Sequence, residues 1–249
     1  MESILLASGA SSRFQAYVSA PKQVAAVRGV PLICYPIVSL SLAGVREQVI
    51  VVNRDNAHVI RESVNRCPYY TGFLIYVFNN ELWRDNGHSA LLGLEEIMGS
   101  GLPVLVSVTD HIYPSTIPKA LIEDPSVLAF GGDSSPAFVD VSEATKIGLS
   151  SSGSGYVFSK NLGNFSFIDV GVHKLPKLPF YGECSSYILS FSSLLTCISR
   201  RWPSTIVDVK GAPWIDVDTY EDYLELLNGR ARIVIDAVWR DWEEKGVKR

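Results

Sequence analysis

The chain has 249 residues, with 22 Lys and Arg against 26 Asp and Glu and a formal net charge of −4, an acidic balance that argues against a dedicated nucleic-acid binder. At 47% hydrophobic and 19% charged it has ample material for a core and is not a disordered chain. The longest apolar stretches, such as residues 29–44, are too short and interrupted to span a bilayer, and "MESILLASGASSR" lacks the basic region and cleavage pattern of a secretory signal.

Residues 3–7, 48–53, 73–78, 103–109 and 126–131 are short, continuously apolar or β-branched runs, as expected of strands covered on both faces. Between them, residues 32–43, 54–66, 87–99 and 115–123 have helical character. This alternation predicts an α/β layered fold, whose ligands sit outside the carboxyl ends of the strands. The small-residue loop after residue 7, "NRDN" at 53–56 and "TDH" at 109–111 would all open there. From about residue 132 the texture becomes turn-rich. Residues 137–149 and 155–161 read as antiparallel strands, and 167–173 and 205–210 as two more. Asp218 or Thr219 can cap a helix whose first turn carries Glu221 and Asp222. A last helix puts Ile235, Val238 and Trp242 on one face. With no internal repeat and no long linker, residues 1–249 read as one mixed-sheet domain. Cys34, Cys67, Cys184 and Cys197 are scattered, without a CxxC pair or zinc spacing, and read as reduced, mostly buried thiols of a cytoplasmic protein.

Several residues carry chemistry at the strand ends. "LLASGASSR" (residues 5–13) is neither a Walker A motif nor GxGxxG, and alone is either a tight turn or an anion cradle. Arg13 and Lys22 follow it, and both can reach phosphate oxygens held against the loop's N–H groups. Asp110 ends a strand, where it can hold Mg²⁺ against a phosphate or cap the next helix. Asp216 and Asp218 alternate and so face the same way on a strand. Lys146 is either an exposed strand lysine or a site lysine facing the same cleft as Asp169. Asn86, Gly87 and Ser89 open a helix and can serve as its cap, a nucleobase reader, or both. His88 and His111 are read as supporting residues.

These motifs occur in a familiar order. "LLASGASSRF…PKQVAAVRGVPLICYPI", "DNGHSALLGLEEI…LPVLVSVTDHIY", "VDVSEATKIG", "FIDVGVH" and "WIDVDTYEDY" together resemble the archaeal CTP:inositol-1-phosphate cytidylyltransferases, within the sugar nucleotidyltransferase family. The resemblance covers nearly the whole length, thinning at 132–137, 175–204 and the C-terminal end. It implies a Rossmann-like nucleotidyltransferase fold, with a central mixed, mostly parallel sheet flanked by helices. Residues 1–131 would form the nucleotide-binding part, and 132–249 the acceptor-binding part and C-terminal helices. The implied reaction is in-line attack of inositol 1-phosphate on the α-phosphorus of CTP, giving CDP-inositol and pyrophosphate. The implied catalytic residues are Arg13, Lys22 and Lys146. The nucleotide would lie on Ala7, Ser8, Gly9, Ala10, Asn86, Gly87 and Ser89, and the acceptor on Lys146 and Asp169. Mg²⁺ would be held by Asp110 and Asp216 with Asp218 as the helix cap, or with the roles of Asp216 and Asp218 exchanged. The alternatives are another sugar-1-phosphate or phosphocholine nucleotidyltransferase, or a catalytically silent nucleotide-binding homologue; a homodimer is left open. No membrane-embedded alcohol phosphatidyltransferase segment is recognisable, so a stand-alone form is expected. Two positions depart from the pattern: Ser11 stands where the family has its second glycine, and Ser8 where alanine is common. Serine fits at negative φ, and the small residues around Ser11 are expected to leave room for that.

Overall fold

The run at residues 3–6 is apolar enough to be buried on both sides, and it forms the middle of the molecule. In the computed structural model, residues 1–9, 11–15, 17–18, 20–97, 101–151, 153–177 and 181–248 are described. The first half alternates strand and helix: β1 (Glu2–Leu6), α1 (Ser12–Gln15), the short pair β2 (Ala26–Val27) and β3 (Val30–Pro31), α2 (Cys34–Leu42), β4 (Glu47–Val52), α3 (Ala57–Val64), β5 (Phe73–Phe78), α4 (Asn86–Glu96), β6 (Val104–Val108), β7 (His111–Ile112) and α5 (Thr116–Glu123). The second half holds β8 (Ala129–Asp133), β9 (Lys146–Leu149), β10 (Tyr156–Ser159), β11 (Phe167–Leu175), α6 (Phe191–Arg201), β12 (Thr205–Asp208), β13 (Ile215–Asp216), α7 (Tyr220–Asn228) and α8 (Arg232–Glu244).

Strands β5, β4, β1 and β6 run parallel, and β11 adds antiparallel to β6. Beyond it, β9, β10, β8 and β12 complete a nine-stranded mixed sheet flanked by helices. The two-residue period of a strand sends alternate side chains to opposite faces. Leu5, Ile50 and Leu105 therefore pack under α2, α3, α5 and α8. Ile4, Val49, Val104 and Val106 pack under α4 and α6. Each such fully buried side chain contributes about 2 kcal/mol from removal of apolar surface. The face of α8 follows the pattern, with Ile235, Val238 and Trp242 buried. Thr219, not Asp218, caps α7: its hydroxyl accepts from Asp222 N while the Asp222 carboxylate accepts from Thr219 N, a reciprocal box. Among the described residues no helix is long and apolar enough to cross a membrane.

Two expectations fail. Residues 137–145 form turns, and strand begins only at Lys146. The cysteines are also not free thiols, because Cys34 pairs with Cys67 and Cys184 with Cys197. Their Cα atoms lie 5.1 and 5.7 Å apart, distances that tertiary packing sets and that sequence separations of 33 and 13 do not announce. Paired in this way, the cysteines do not point to a reducing compartment.

Candidate functional site

The carboxyl ends of β1 and β6 open into two adjoining cavities, of about 210 and 440 Å³. The smaller is lined by Ser8, Gly9, Ser11, Arg13, Lys22 and Gln23, with Asn86 and Asp110. Its loop is held from behind. Asn53 donates its amide to the Ser8 carbonyl at 2.7 Å, and Asn56 to the Ala7 carbonyl at 2.8 Å. Two carbonyls that would repel an anion are thus turned inward and satisfied. Ser89 is fully buried, 2.7 Å from the Ser8 hydroxyl, and accepts from Asn79. Ser11 has φ +53°, so it does not avoid the left-handed region as expected. The turn requires the conformation that glycine adopts freely, and its hydroxyl donates to Gln23 Oε1 at 3.2 Å.

Carboxylates gather where the cavities meet. Asp216 and His111 are paired neighbours on β13 and β7, with Asp216 Oδ1 3.5 Å from His111 Nε2. Asp110, His111 and Asp216 each offer a ligand atom within 4.8 Å of the others, and Asp110 Oδ1 and Asp216 Oδ1 are buried without hydrogen-bond partners. Lys22, only 7% exposed at its side chain, donates to Asp110 at 3.0 Å and to Asp218 at 3.3 Å. Burial works against its charge, but Asp110, Asp218 and Asp216 outweigh that and hold its pKa above the ordinary value. Asp218 also accepts from Arg13 at 2.5 Å and lies 3.7 Å from Lys160. Burial would raise its pKa, yet Lys22, Arg13 and Lys160 bring it down to about 2. Asp216 is pushed up to about 7 by burial and by Asp110 and Asp218, against the pull of His111 and Lys22. Asp110 does not cap α5, whose N-terminal neighbour is Ser115.

The larger cavity adds Asp85, Thr145, Lys160, Asp169 and Trp214. Asp169 accepts from Gly171 N at 2.8 Å and stands 3.2 Å from His173. Burial would raise it, but His173 and that N–H hold it below the usual range. Gly171, at φ +71°, sits where the pairing of β11 with β8 shifts register, and a Cβ there would lie 2.4 Å from His111 Nδ1. Trp214 stacks on His111, with ring centroids 5.5 Å apart, and buried Asp133 fixes its indole N–H at 2.7 Å. Asp85 has φ +69° and ψ 177°, a region otherwise left to glycine, and accepts from Asn86 N at the start of α4.

Of the residues singled out by sequence, Ser8, Gly9, Arg13, Lys22, Asn86 and Asp110 line the smaller cavity, and Asp169 and Asp216 the larger. Ala10 lies outside the described residues. Ala7, Gly87 and Ser89 line neither cavity. Gly87 is a packing glycine, since a Cβ there would lie 2.5 Å from the Leu189 carbonyl. Lys146 also lines neither. Its buried ammonium donates to the carbonyls of Ser142, Ala144 and Lys160 at 3.1, 3.4 and 2.7 Å. It pairs across the ladder with Ile168, so it faces away from Asp169. Sequence reasoning missed Lys160, Asp85, Trp214 and the cluster role of His111. For His111 the signal was its place beside Asp110; for Lys160 none was used.

Residues 3–126 match the model of the MobA-like NTP transferase domain. The chain is similar to proteins named bifunctional IPC transferase and DIPP synthase. It is 28% identical over 210 residues to that of Rubrobacter xylanophilus (81% of this chain, 46% of the relative). It is 27% identical over 222 residues to that of Aquifex aeolicus (88% and 49%). The chain spans about half the length of these relatives. Its fold matches the inositol-1-phosphate CTP transferase from T. maritima with a TM-score of 0.79 at 23% identity, covering 100% of this chain and 98% of that one. Its fold also matches HddC from Yersinia pseudotuberculosis with a TM-score of 0.67 at 16% identity, covering 90% of this chain and 96% of that one.

Proposed function

With residues 3–126 belonging to the MobA-like NTP transferase family, we propose that the chain transfers a cytidylyl group from CTP to inositol 1-phosphate, forming CDP-inositol and releasing pyrophosphate. The names of its relatives and of the T. maritima structure support the choice of substrates. The observation that carries the reading is the junction of the two cavities, where Arg13, Asp110 and Asp218 line both. A triphosphate on the small-residue loop and an acceptor in the larger cavity meet there.

The oxygen donors fit Mg²⁺, because Asp110 and Asp216 present unpartnered buried carboxylate oxygens, the hard ligands this ion takes. Bound to them, Mg²⁺ supplies positive charge against the phosphate oxygens. The acceptor's phosphate oxygen forms the new bond to the α-phosphorus as the bond from that phosphorus to the bridging oxygen breaks and pyrophosphate leaves. The attacking oxygen is already anionic, so no general base is required. Two unit charges 4 Å apart repel by roughly 4 kcal/mol at an effective dielectric of 20. Arg13 and Lys22 offset this on the nucleotide side, and the rest of the task is positioning.

A second reading, transfer to phosphocholine, is favoured by Trp214 and Phe191 beside carboxylates in the larger cavity, a setting suited to a quaternary ammonium. Mass-spectrometric product assays with CTP, UTP, GTP and dTTP against inositol 1-phosphate, glucose 1-phosphate and phosphocholine separate the two. CDP-inositol should dominate; a preference for CDP-choline would replace the proposal, and nucleotide binding without pyrophosphate release would indicate a silent homologue.

A further inference from the structure

We infer that Lys160 is the residue that takes the acceptor's phosphate, and that Lys146 positions it without touching substrate. The inference rests on the proposed reaction and names a contact within it. Among the described residues, the larger cavity is lined by five aspartates, Asp85, Asp110, Asp169, Asp216 and Asp218. A phosphate monoester entering it needs cations from the protein. Arg13 is committed to Asp218 at 2.5 Å, and Lys22 lines the smaller cavity, where it is held by Asp110 and Asp218. Lys160 differs from both. Its side chain is 45% exposed, and its ammonium is 3.7 Å from Asp218, a residue that lines both cavities. At that separation the ammonium can turn to an incoming phosphate without breaking a tight hydrogen bond.

The backbone of Lys160 is fixed from below. It is the buried Lys146 ammonium that donates to the Lys160 carbonyl at 2.7 Å, and to the carbonyls of Ser142 and Ala144. All three protons of that ammonium then have acceptors, and none is left for a ligand. One lysine thus ties the turn before β9 to the end of β10, and the other projects from that tie into the cavity.

The test uses the full chain and two readouts. Calorimetry measures binding of inositol 1-phosphate and of unphosphorylated inositol, and steady-state assays measure KM for each substrate. Lys160→Ala should weaken inositol 1-phosphate binding tenfold or more, as loss of a charge-assisted hydrogen bond does. It should leave inositol binding and KM for CTP unchanged, and Lys160→Arg should restore most of the loss. Lys146→Gln should raise KM for the acceptor and lower the melting temperature, and its acceptor effect should vanish in the Lys160→Ala background. Equal binding of inositol 1-phosphate by Lys160→Ala and the unsubstituted protein overturns the inference even if CDP-inositol is made. An unsubstituted protein that binds no phosphate monoester overturns both this inference and the proposed reaction. One that binds the ester tightly through Lys160 yet makes no CDP-inositol overturns the reaction alone.

Discussion

The two walls of the cleft are built on different principles. The wall beneath the smaller cavity is made at the carboxyl ends of parallel strands, where the chain leaves β1 and β6 and places Ser8, Gly9 and Asp110 at the same edge. The wall of the larger cavity comes from antiparallel β11, from Ala144 and Thr145 just before β9, and from Ser190, Phe191 and Ser192 at the start of α6. On the first wall, position along the chain decides what faces the ligand. On the second, register decides, and a shift of one residue exchanges the two faces. Lys146 and Thr145 are neighbours in sequence, yet Thr145 stands with Asp169 over the cavity while Lys146 stands with Ile168.

The largest effect should fall on the seam that both walls share. Asp110→Asn and Asp216→Asn each keep shape and remove one carboxylate charge, and each should lower turnover a hundredfold or more at saturating Mg²⁺, measured as pyrophosphate release. If Asp216→Asn were nearly silent while Asp218→Asn was not, the seam would belong to the Asp218 hub and the first wall alone.

The disulfides distinguish the walls through stability and substrate use. By the chain-entropy argument, losing Cys34–Cys67 should cost about 4 kcal/mol and losing Cys184–Cys197 about 3 kcal/mol in denaturant unfolding. Only the second ring encloses Ser190 and Phe191, where Asn86 Oδ1 accepts from Phe191 N. Serine at Cys184 and Cys197 should therefore raise KM for the acceptor, and serine at Cys34 and Cys67 should not. Equal kinetic effects would erase the distinction.

A smaller effect concerns pH in the metal-free protein. Asp216 is held at about 7 in the folded chain, against about 4 when unfolded. Between these values the folded state binds the extra proton, so stability falls as pH rises through the window, by at most about 1.4 kcal/mol per unit. Urea unfolding at pH 5 and pH 7.5 should show this loss, and Asp216→Asn should flatten it. A slope unchanged by that substitution would place the shift elsewhere.

The smallest effect belongs to Ser11. At φ +53° a serine costs about 1 kcal/mol or more, which glycine relieves, while the bond to Gln23 is lost. Ser11→Gly should improve CTP binding a few-fold, less than the tenfold that 1.4 kcal/mol would give, and leave KM for the acceptor unchanged. A change in acceptor KM would show that the walls are not independent.

The same division marks what could be read from the chain beforehand. The parallel strands announced themselves as continuous apolar runs because both faces of β1, β4 and β6 are buried, and those of the edge strand β5 partly so. With them came the placing of Ser8, Gly9, Arg13, Lys22 and Asp110 at one edge. Asp169 and Asp216 were placed by motif. The direction of Lys146, the reach of Lys160 and the pairing of four distant cysteines depend on register and long-range packing, which no local pattern encodes. Ser11 shows the converse: its departure from glycine was visible, but its φ was set by the turn and not by its own preference.

Lys22 gives the acidic seam a resident counter-ion. Asp110, Asp216 and Asp218 would repel one another if the space between them were left to solvent, and one buried ammonium lets the chain fold with the three already converged. Under the proposed reaction a divalent ion would enter this seam by exchange, sharing or displacing a positive charge that belongs to the protein, and the triphosphate would give the displaced ammonium somewhere to go. Cation and nucleotide would in this sense be a joint cargo, each making room for the other.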